Sequence, residues 1–325
     1  MRYILISVLT LFFLMSCGDK KKEQDKFLPD ASGAINNVSV VTENELWDGQ
    51  VGEAIRSVLA KPIYGLPQDE PMFTISQIPP SVFSGFVTKN RTVLKIEPNK
   101  EAGLEILQNK YAKPQKVIVV RGKTKQEIVN VLKENTSKII ETFRNEELSE
   151  RLRQMAKSPH TFKSIKEKLK LSIQFPSIYN KIKETDDFLW FSKDITTGSM
   201  HIMMYELPYE AIKYNDSTVS QIVKIRDSIG LLNVPGRIEG SYLITERAYA
   251  PFQNKVILDN KPAIETKGLW DLKGAFMAGP FINYAIEDKI NKRWVIVEGF
   301  AFAPSVEKRN YMLELEAIIK SVKIE

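Results

Sequence analysis

A single cysteine, Cys17, and two histidines, His160 and His201, are present in the 325 residues. One thiol excludes a disulfide framework and any zinc site built from several cysteines, so the body must stand on its hydrophobic core. Two histidines without a helical His-Glu-x-x-His offer no metal-ligand spacing, and each reads as a structural imidazole: His160 exposed after a proline, His201 within a strand. Gly-x-Ser-x-Gly is absent, which removes the nucleophile elbow of a hydrolase. No stretch approaches the roughly 20 apolar residues of a membrane-spanning helix. The uncharged run over residues 3–15 comes to 13.

What stands at the start is an export signal. Arg2 precedes that apolar run, and Leu14-Met15-Ser16-Cys17-Gly18 closes it. This closing segment resembles a lipobox, with an aliphatic residue at minus three, a small one at minus one, and then the lone cysteine. The resemblance implies cleavage after Ser16, diacylation of the Cys17 sulfur with palmitate-like chains, and a membrane partner reached through the lipid. Each buried methylene contributes about 0.8 kcal/mol, so two or three acyl chains hold a protein essentially permanently. A thiol used in this way leaves none to act as a nucleophile.

The expected organisation is a signal peptide at 1–16, a lipidated cysteine with a polar tether at 17–33, an N-terminal lobe at 34–160 and a C-terminal lobe at 161–325. The tether balances Lys20, Lys21, Lys22 and Lys26 against Asp19, Glu23, Asp25 and Asp30. Removing Arg2 takes the formal charge from +6 to +5, which therefore belongs to the folded body.

In the first lobe, strand-like runs fall at 38–42, 73–78, 92–96 and 117–120. A helix buries Val51, Ile55, Val58 and Leu59 and stops at Lys61-Pro62. Thr124-Lys125-Gln126-Glu127 fits a capping box and opens one long helix, whose stripe runs through Ile128, Leu132, Ile139 and Phe143 to Leu148, Leu152 and Met155. In the second lobe, alternation predicts strands at 169–175, 188–191, 200–205, 242–245, 256–258, 263–272, 276–286 and 293–302. A helix over 217–229 is expected to terminate at Gly230, and a closing helix to be capped by Ser305. Hairpins interrupted by single helices predict an α+β fold of antiparallel sheets with helices packed on one face, in two similar-sized lobes.

At the level of whole segments, the lipobox, Leu28-Pro29-Asp30-Ala31-Ser32-Gly33, Glu45-Leu46-Trp47-Asp48, Leu66-Pro67-Gln68-Asp69-Glu70-Pro71, Gly268-Leu269-Trp270-Asp271-Leu272-Lys273-Gly274 and Gly279-Pro280-Phe281 resemble an uncharacterised lipoprotein family of Bacteroidetes, a domain of unknown function. The resemblance spans nearly the whole mature chain and implies no activity, cofactor or catalytic residue.

Several fragments invite a chemical reading. Gly122-Lys123-Thr124 follows a strand and opens a helix, but Val117 stands where a phosphate-binding loop needs its first glycine, so no nucleotide is expected. A weaker anion contact remains at the same helix start, through Arg121, Lys123 and Lys125. Between Lys110 and Lys170 there are 16 Lys and Arg against 7 Glu, which reads as a solvated helical face or as contact with lipid phosphates, lipopolysaccharide or acidic glycans. No aromatic-interleaved motif points to nucleic acid. Ser305-Val306-Glu307-Lys308 lacks the companion motifs of penicillin-recognising enzymes. Asp186, Asp187, Asp271 and Glu298 are candidate members of a sugar-cleaving carboxylate pair.

The most unusual composition is the aromatic and glycine-rich stretch 268–284. Trp270, Asp271, Phe276, Phe281 and Tyr284 form a candidate binding surface, with tightly packed core strands as the competing reading. The loop 64–71, stiffened by prolines, serves recognition or connection. The expected function is that of a non-catalytic envelope lipoprotein that binds an envelope protein or glycan, without cofactor or metal. Its expected position is the outer membrane, facing the periplasm. The alternative is a carboxylate-dependent hydrolase of envelope polysaccharide.

Overall fold

The computed structural model describes residues 27–325. The expected signal peptide, Cys17 and most of the tether lie outside them.

The first lobe contains β1 (Asn37–Val41), the helical turn α1 (Asn44–Trp47), α2 (Gln50–Leu59), β2 (Thr74–Ile78), β3 (Thr92–Pro98), β4 (Gly103–Gln108), β5 (Lys116–Gly122), α3 (Lys125–Glu134) and α4 (Thr136–Met155). Its sheet runs β2-β1-β3-β5-β4. It is mixed: β1, β2, β3 and β5 are parallel, and β4 is an antiparallel edge. Consecutive buried residues Val117, Ile118, Val119 and Val120 fit a parallel strand covered on both faces, where alternation is not required. Helices α2, α3 and α4 pack on one face through Ile55, Leu59, Ile128, Leu132 and Phe143. On the other face Val41, Val93, Val117 and Val119 are covered by Phe83, Leu107 and Tyr111.

The single helix expected from 124 to 155 is two helices. It breaks at Asn135 (φ −104°, ψ 16°). Asn135 Nδ2 donates to Val131 O at 2.8 Å, and Thr136 Oγ1 donates to Lys133 O at 2.9 Å. These short polar side chains compete for carbonyls that the next turn of helix would use.

The second lobe contains β6 (Pro159–His160), α5 (Lys163–Leu169), β7 (Leu171–Ser172), β8 (Phe175–Pro176), β9 (Asn180–Glu184), β10 (Phe188–Ile195), β11 (Gly198–Pro208), α6 (Thr218–Asn233), β12 (Tyr242–Thr245), β13 (Phe252–Leu258), β14 (Lys261–Lys273), β15 (Ala278–Asp288), β16 (Arg293–Phe302), α7 (Arg309–Lys320) and β17 (Lys323–Ile324). The large sheet runs β12-β14-β15-β16-β11-β10-β9, with β13 beside β14, and its pairings are antiparallel. Alternation identifies its long central strands well. It fails at 169–175, where α5 ends at Lys170 in the left-handed region (φ 52°) and two-residue strands follow. Gly230 does not end α6, which continues to Asn233. Its missing Cβ lets the helix approach β12, since a Cβ there would lie 2.0 Å from Leu243 O.

This sheet has apolar layers on both faces. Leu189, Phe191, Ile202, Met204, Val295 and Val297 face α7, whereas Phe188, Met203, Tyr205, Phe281, Ile296 and Phe300 face the side that carries Ile222 of α6.

Helix α7 joins the lobes. Ser305 is not its cap: that residue has φ 65°, and the helix begins at Arg309. The cap is Glu70, whose carboxylate accepts from Lys308 N at 2.8 and 3.0 Å and from Arg309 N at 2.8 Å. The proline-stiffened loop therefore presents a capping carboxylate to the other lobe, at the helix end where negative charge is favoured. Asn36 Nδ2 donates to Asn310 Oδ1 at 2.9 Å, Arg144 of α4 pairs with Glu316, and Arg151 lies 3.5 Å from Glu314. Part of the positive charge between 110 and 170 is thus answered by carboxylates of α7. Among the described residues no helix is long and apolar enough to cross a membrane.

Candidate functional site

One end of the large sheet opens into a cavity of about 320 Å³ on the α6 side. That is near the lower bound of small-molecule pockets, roughly 300–1,000 Å³. Strand register assembles it. Antiparallel pairing sets His201 opposite Phe300 and Ser199 opposite Phe302, with Trp190 two residues along from Ser192, which is opposite His201. Residues directly opposite one another share a face, so these side chains point the same way. Trp270 enters from β14, and Val234, Pro235, Gly236 and Arg237 close the rim beyond α6.

The walls are a continuous set of rings. His201 stacks on Phe300 with centroids 4.6 Å apart, Trp270 meets Phe300 edge-on at 5.7 Å, and Trp190 lies 5.6 Å from His201. Gly198 makes room at the rim, because a Cβ there would fall 1.9 Å from Phe302 O.

The polar groups of the cavity have defined roles. Trp190 Nε1 donates to His201 Nδ1 at 3.2 Å, and Ser199 Oγ lies 2.8 Å from His201 Nε2. An indole N–H can only donate, so Nδ1 of the neutral ring is the acceptor and Nε2 carries the hydrogen, which it gives to Ser199. A nucleophilic serine needs the reverse arrangement, an imidazole lone pair facing its oxygen. Burial among aromatic rings pushes the His201 pKa down to about 4, which further weakens it as a base. The Ser–His–Trp row is a fixed hydrogen-bonding wall that leaves the Ser199 hydroxyl hydrogen available to a ligand. Among the described residues lining the cavity, Asp194 is the one carboxylate and Arg237 the one cation.

The five surface candidates do not form one surface. Trp270, Phe281 and Tyr284 are at most 2% exposed. Tyr284 is three residues beyond Phe281 on the same strand and so faces the opposite side of the sheet, where its hydroxyl donates to Glu265 at 3.3 Å. Phe276 is fully exposed in the β14–β15 turn, and Asp271 accepts from Leu272 N at 2.8 Å. Of the five, only Trp270 lines the cavity. The sequence reading did not single out Trp190, Ser199, Phe300 or Phe302. The available signal was strand alternation, which aligns them, but their convergence needs the cross-strand register.

The anion-contact candidates are each given a carboxylate. Arg121 pairs with Glu97 and Glu105, Lys123 with Glu101, and Lys125 with Glu45. Three cations around Glu97, with Lys100 foremost, hold its pKa down to about 2. The cap itself forms as expected at Thr124, whose side chain accepts from Glu127 N, but the Glu127 carboxylate takes Lys123 N, one residue earlier than a strict capping box.

The carboxylates considered for sugar cleavage do not converge. Asp186 is fully exposed beside Lys168, and Asp187 accepts from Thr185. Glu298 is completely buried, with Arg226 Nε at 2.8 Å and Asn283 Nδ2 at 2.9 Å. Arg226 also lies 3.9 Å over the Phe281 ring. This is a structural ion pair closed within the core. Among the described residues no group of three or more His, Cys, Asp or Glu side chains is arranged to hold a metal ion.

Residues 158–321, about half of the chain, match the family model described as Domain of unknown function (DUF4837). Residues 31–156 match a second, Domain of unknown function (DUF8532). No curated protein matches the chain. Similar solved structures include cyanobacterial PsbP (CyanoP) from Synechocystis sp. PCC 6803, with TM-score 0.32 and 6% identity over 48% of this chain and 86% of that one. LpqN, involved in cell envelope biogenesis of Mycobacterium tuberculosis, gives TM-score 0.28 and 11% identity over 47% and 82%. PA94 of Pseudomonas aeruginosa, a protein of unknown function and putative regulator, gives 0.26 and 8% over 46% and 88%.

Proposed function

From the premise that this chain belongs to the DUF4837 family, whose description assigns no chemistry, we propose that it is a lipid-anchored envelope protein of the Bacteroidetes kind that binds a glycan without cleaving it. The lipobox at 14–17 supports the anchor on Cys17 and the division into signal and tether. The lysine-rich start of the tether, Lys20-Lys21-Lys22, supports an outer-membrane position facing the periplasm, and the two family models over 31–156 and 158–321 support the two lobes.

The observation that carries the binding role is the ring-walled cavity at Trp190, His201, Trp270 and Phe300 with Ser199, Asp194 and Arg237 as its polar groups. Aromatic faces stack on the apolar face of a pyranose, and a few fixed polar groups orient its hydroxyls. Glycoside hydrolysis takes two carboxyls flanking the scissile bond, roughly 5 to 9.5 Å apart. A single carboxylate with a weakly basic histidine favours retention of the ligand over turnover.

The test is titration of the purified chain with oligosaccharides released from lipopolysaccharide and peptidoglycan, followed by calorimetry and tryptophan fluorescence. At least one class should bind and be recovered intact, and Trp190→Ala should weaken binding by about tenfold or more. Release of cleaved sugar, or no binding by any class, overturns the reading. Mass spectrometry of the native protein tests the anchor separately: an intact Met1 or a free Cys17 thiol refutes it.

A further inference from the structure

The loop over residues 79–90, which contains two short 3-10 turns at Pro80–Val82 and Gly85–Lys89, leaves the C-terminal end of β2, crosses the face of the first sheet opposite α2, α3 and α4 and enters β3 at its N-terminal end. Its side chains split by direction. Phe83 turns inward and meets Tyr111 edge-on at 5.5 Å, helping to cover Val41, Val93, Val117 and Val119. Val82 and Phe86 turn outward and are 54% and 73% exposed. Two large apolar groups on one short loop, with Pro79-Pro80 stiffening its start, form an outward-facing knob.

The surroundings of the knob are cationic. Residues 79–91 and 109–116 contain Lys89, Arg91, Lys110, Lys113 and Lys116 and no Asp or Glu. Arg91 is buried against Glu147 at 2.9 Å, with Glu150 at 3.9 Å, and Lys116 donates to Gln108. Elsewhere in this lobe Lys95, Lys100 and Lys123 are matched to carboxylates. By contrast, Lys89 lies 5.7 Å over the Phe86 ring, and Lys110 and Lys113 are exposed on the β4–β5 turn. Asp30 is the acidic neighbour, on the incoming chain.

That incoming chain is the third observation. Ser32 N donates to Lys89 O at 2.9 Å, Ala31 N to Lys113 O at 3.1 Å, and Lys113 N to Pro29 O at 2.9 Å. The polypeptide coming from Cys17 is therefore sewn directly to the loop and to the basic turn, and it leaves this end of the lobe at Phe27, which is 96% exposed. The ten peptide links between Cys17 and Phe27 span at most about 35 Å. An acylated Cys17 would hold this end of the lobe within reach of its own leaflet.

We infer that the loop over residues 79–90 dips into the lipid leaflet: Val82 and Phe86 enter the interfacial zone, and Lys89, Lys110 and Lys113 contact lipid phosphates. Apolar side chains ringed by lysine are the chemistry of interfacial membrane contact. The inference rests on the anchored reading of Cys17 for its orientation, but the surface itself is testable without the anchor.

The experiment uses the mature chain carrying Cys17→Ala, which has no acyl group and no other thiol. Ser84→Cys, between Val82 and Phe86, takes an environment-sensitive fluorophore, and Ile290→Cys in the second lobe serves as the comparison site. Vesicles are phosphatidylcholine alone or with 30% phosphatidylglycerol. The label at Ser84 should shift to the blue and be quenched by spin-labelled lipid, more strongly on the anionic vesicles, while the label at Ile290 stays aqueous. Val82→Asp with Phe86→Asp should lower vesicle partitioning about tenfold or more, with an unchanged unfolding midpoint showing that the fold is intact. Lys89→Gln with Lys110→Gln and Lys113→Gln should reduce the gain from phosphatidylglycerol. An aqueous label on both vesicles, partitioning indifferent to the aspartates, an equal shift at Ile290, or self-association abolished by Phe86→Asp without lipid binding would each overturn the inference. Failure of the anchor is read separately, by mass spectrometry of Cys17, so the two failures cannot be confused.

Discussion

Glu70 and its neighbour Pro71 hold Arg309 at two points across the lobe boundary: the Glu70 carboxylate accepts the Arg309 backbone N–H at 2.8 Å, and the Arg309 guanidinium donates to the carbonyl of Pro71 at 2.6 Å. A third contact, from Arg309 Nη2 to Thr74 Oγ1 at 3.0 Å, locks the same side chain against β2. The start of α7 is thereby built from groups of both lobes, so its stability and the docking of the lobes are one quantity.

Glu70→Ala should accordingly destabilise the whole protein by about 2–3 kcal/mol, because it removes a cap and strands buried amides. Glu70→Gln, which keeps one acceptor, should cost about 1 kcal/mol. Urea unfolding followed by tryptophan fluorescence distinguishes the two, and the transition should stay single if the lobes unfold together.

Arg226 and Glu298 are each at most 1% exposed, so removing one partner leaves a bare charge in the core. Arg226→Met should cost about 3–5 kcal/mol, whereas Arg226→Met combined with Glu298→Leu should recover most of the loss. A double-mutant cycle in guanidinium measures the coupling.

On intrinsic propensity, Gly230→Ala in α6 would gain about 1 kcal/mol. The new Cβ would instead meet the backbone oxygen of Leu243 at 2.0 Å, and backbone cannot step aside as a side chain can. Net destabilisation is expected, with β12 pushed off the helix. Thermal unfolding gives the sign, and amide exchange at 242–245 should accelerate.

Acid sensitivity should report His201. Its pKa of about 4 in the folded protein lies below the ordinary 6.5. Between those values the unfolded chain binds a proton that the folded chain refuses. The contribution of the neutral ring is therefore complete above about pH 6.5, declines as pH falls toward 4, and levels off below. His201→Gln keeps an acceptor for Trp190 and should flatten this part of the profile, measured as urea midpoints at pH 7 and pH 4.5. A histidine titration by NMR should place His201 near 4.

The sequence carried the α+β class and the long central strands, because period-two alternation survives wherever one sheet face differs from the other. It overran at Asn135, since an apolar stripe continues across a break made by two side chains bonding to carbonyls. It misassigned Ser305 and Gly230 because each had the right residue type for a helix end. The true cap, Glu70, lies 238 residues from Lys308 in sequence, and nothing local announces it. Of the four rings that wall the cavity, Trp270 stood out by composition. Trp190, His201 and Phe300 meet only through the pairing of β10, β11 and β16. Tyr284 was grouped with Phe281 by proximity in sequence, although three steps along a strand reverse the face.

The clasp on α7 also sets an order of assembly. The amides that Glu70 needs and the carboxylates that Arg144 and Arg151 need are all encoded after residue 307, so the first lobe emerges with its ionic sockets open and closes only when the far end of the polypeptide arrives. A ribosome that released the chain short of α7 would leave two half-finished bodies, each exposing the seam meant for the other. Such a product is a natural target for proteases.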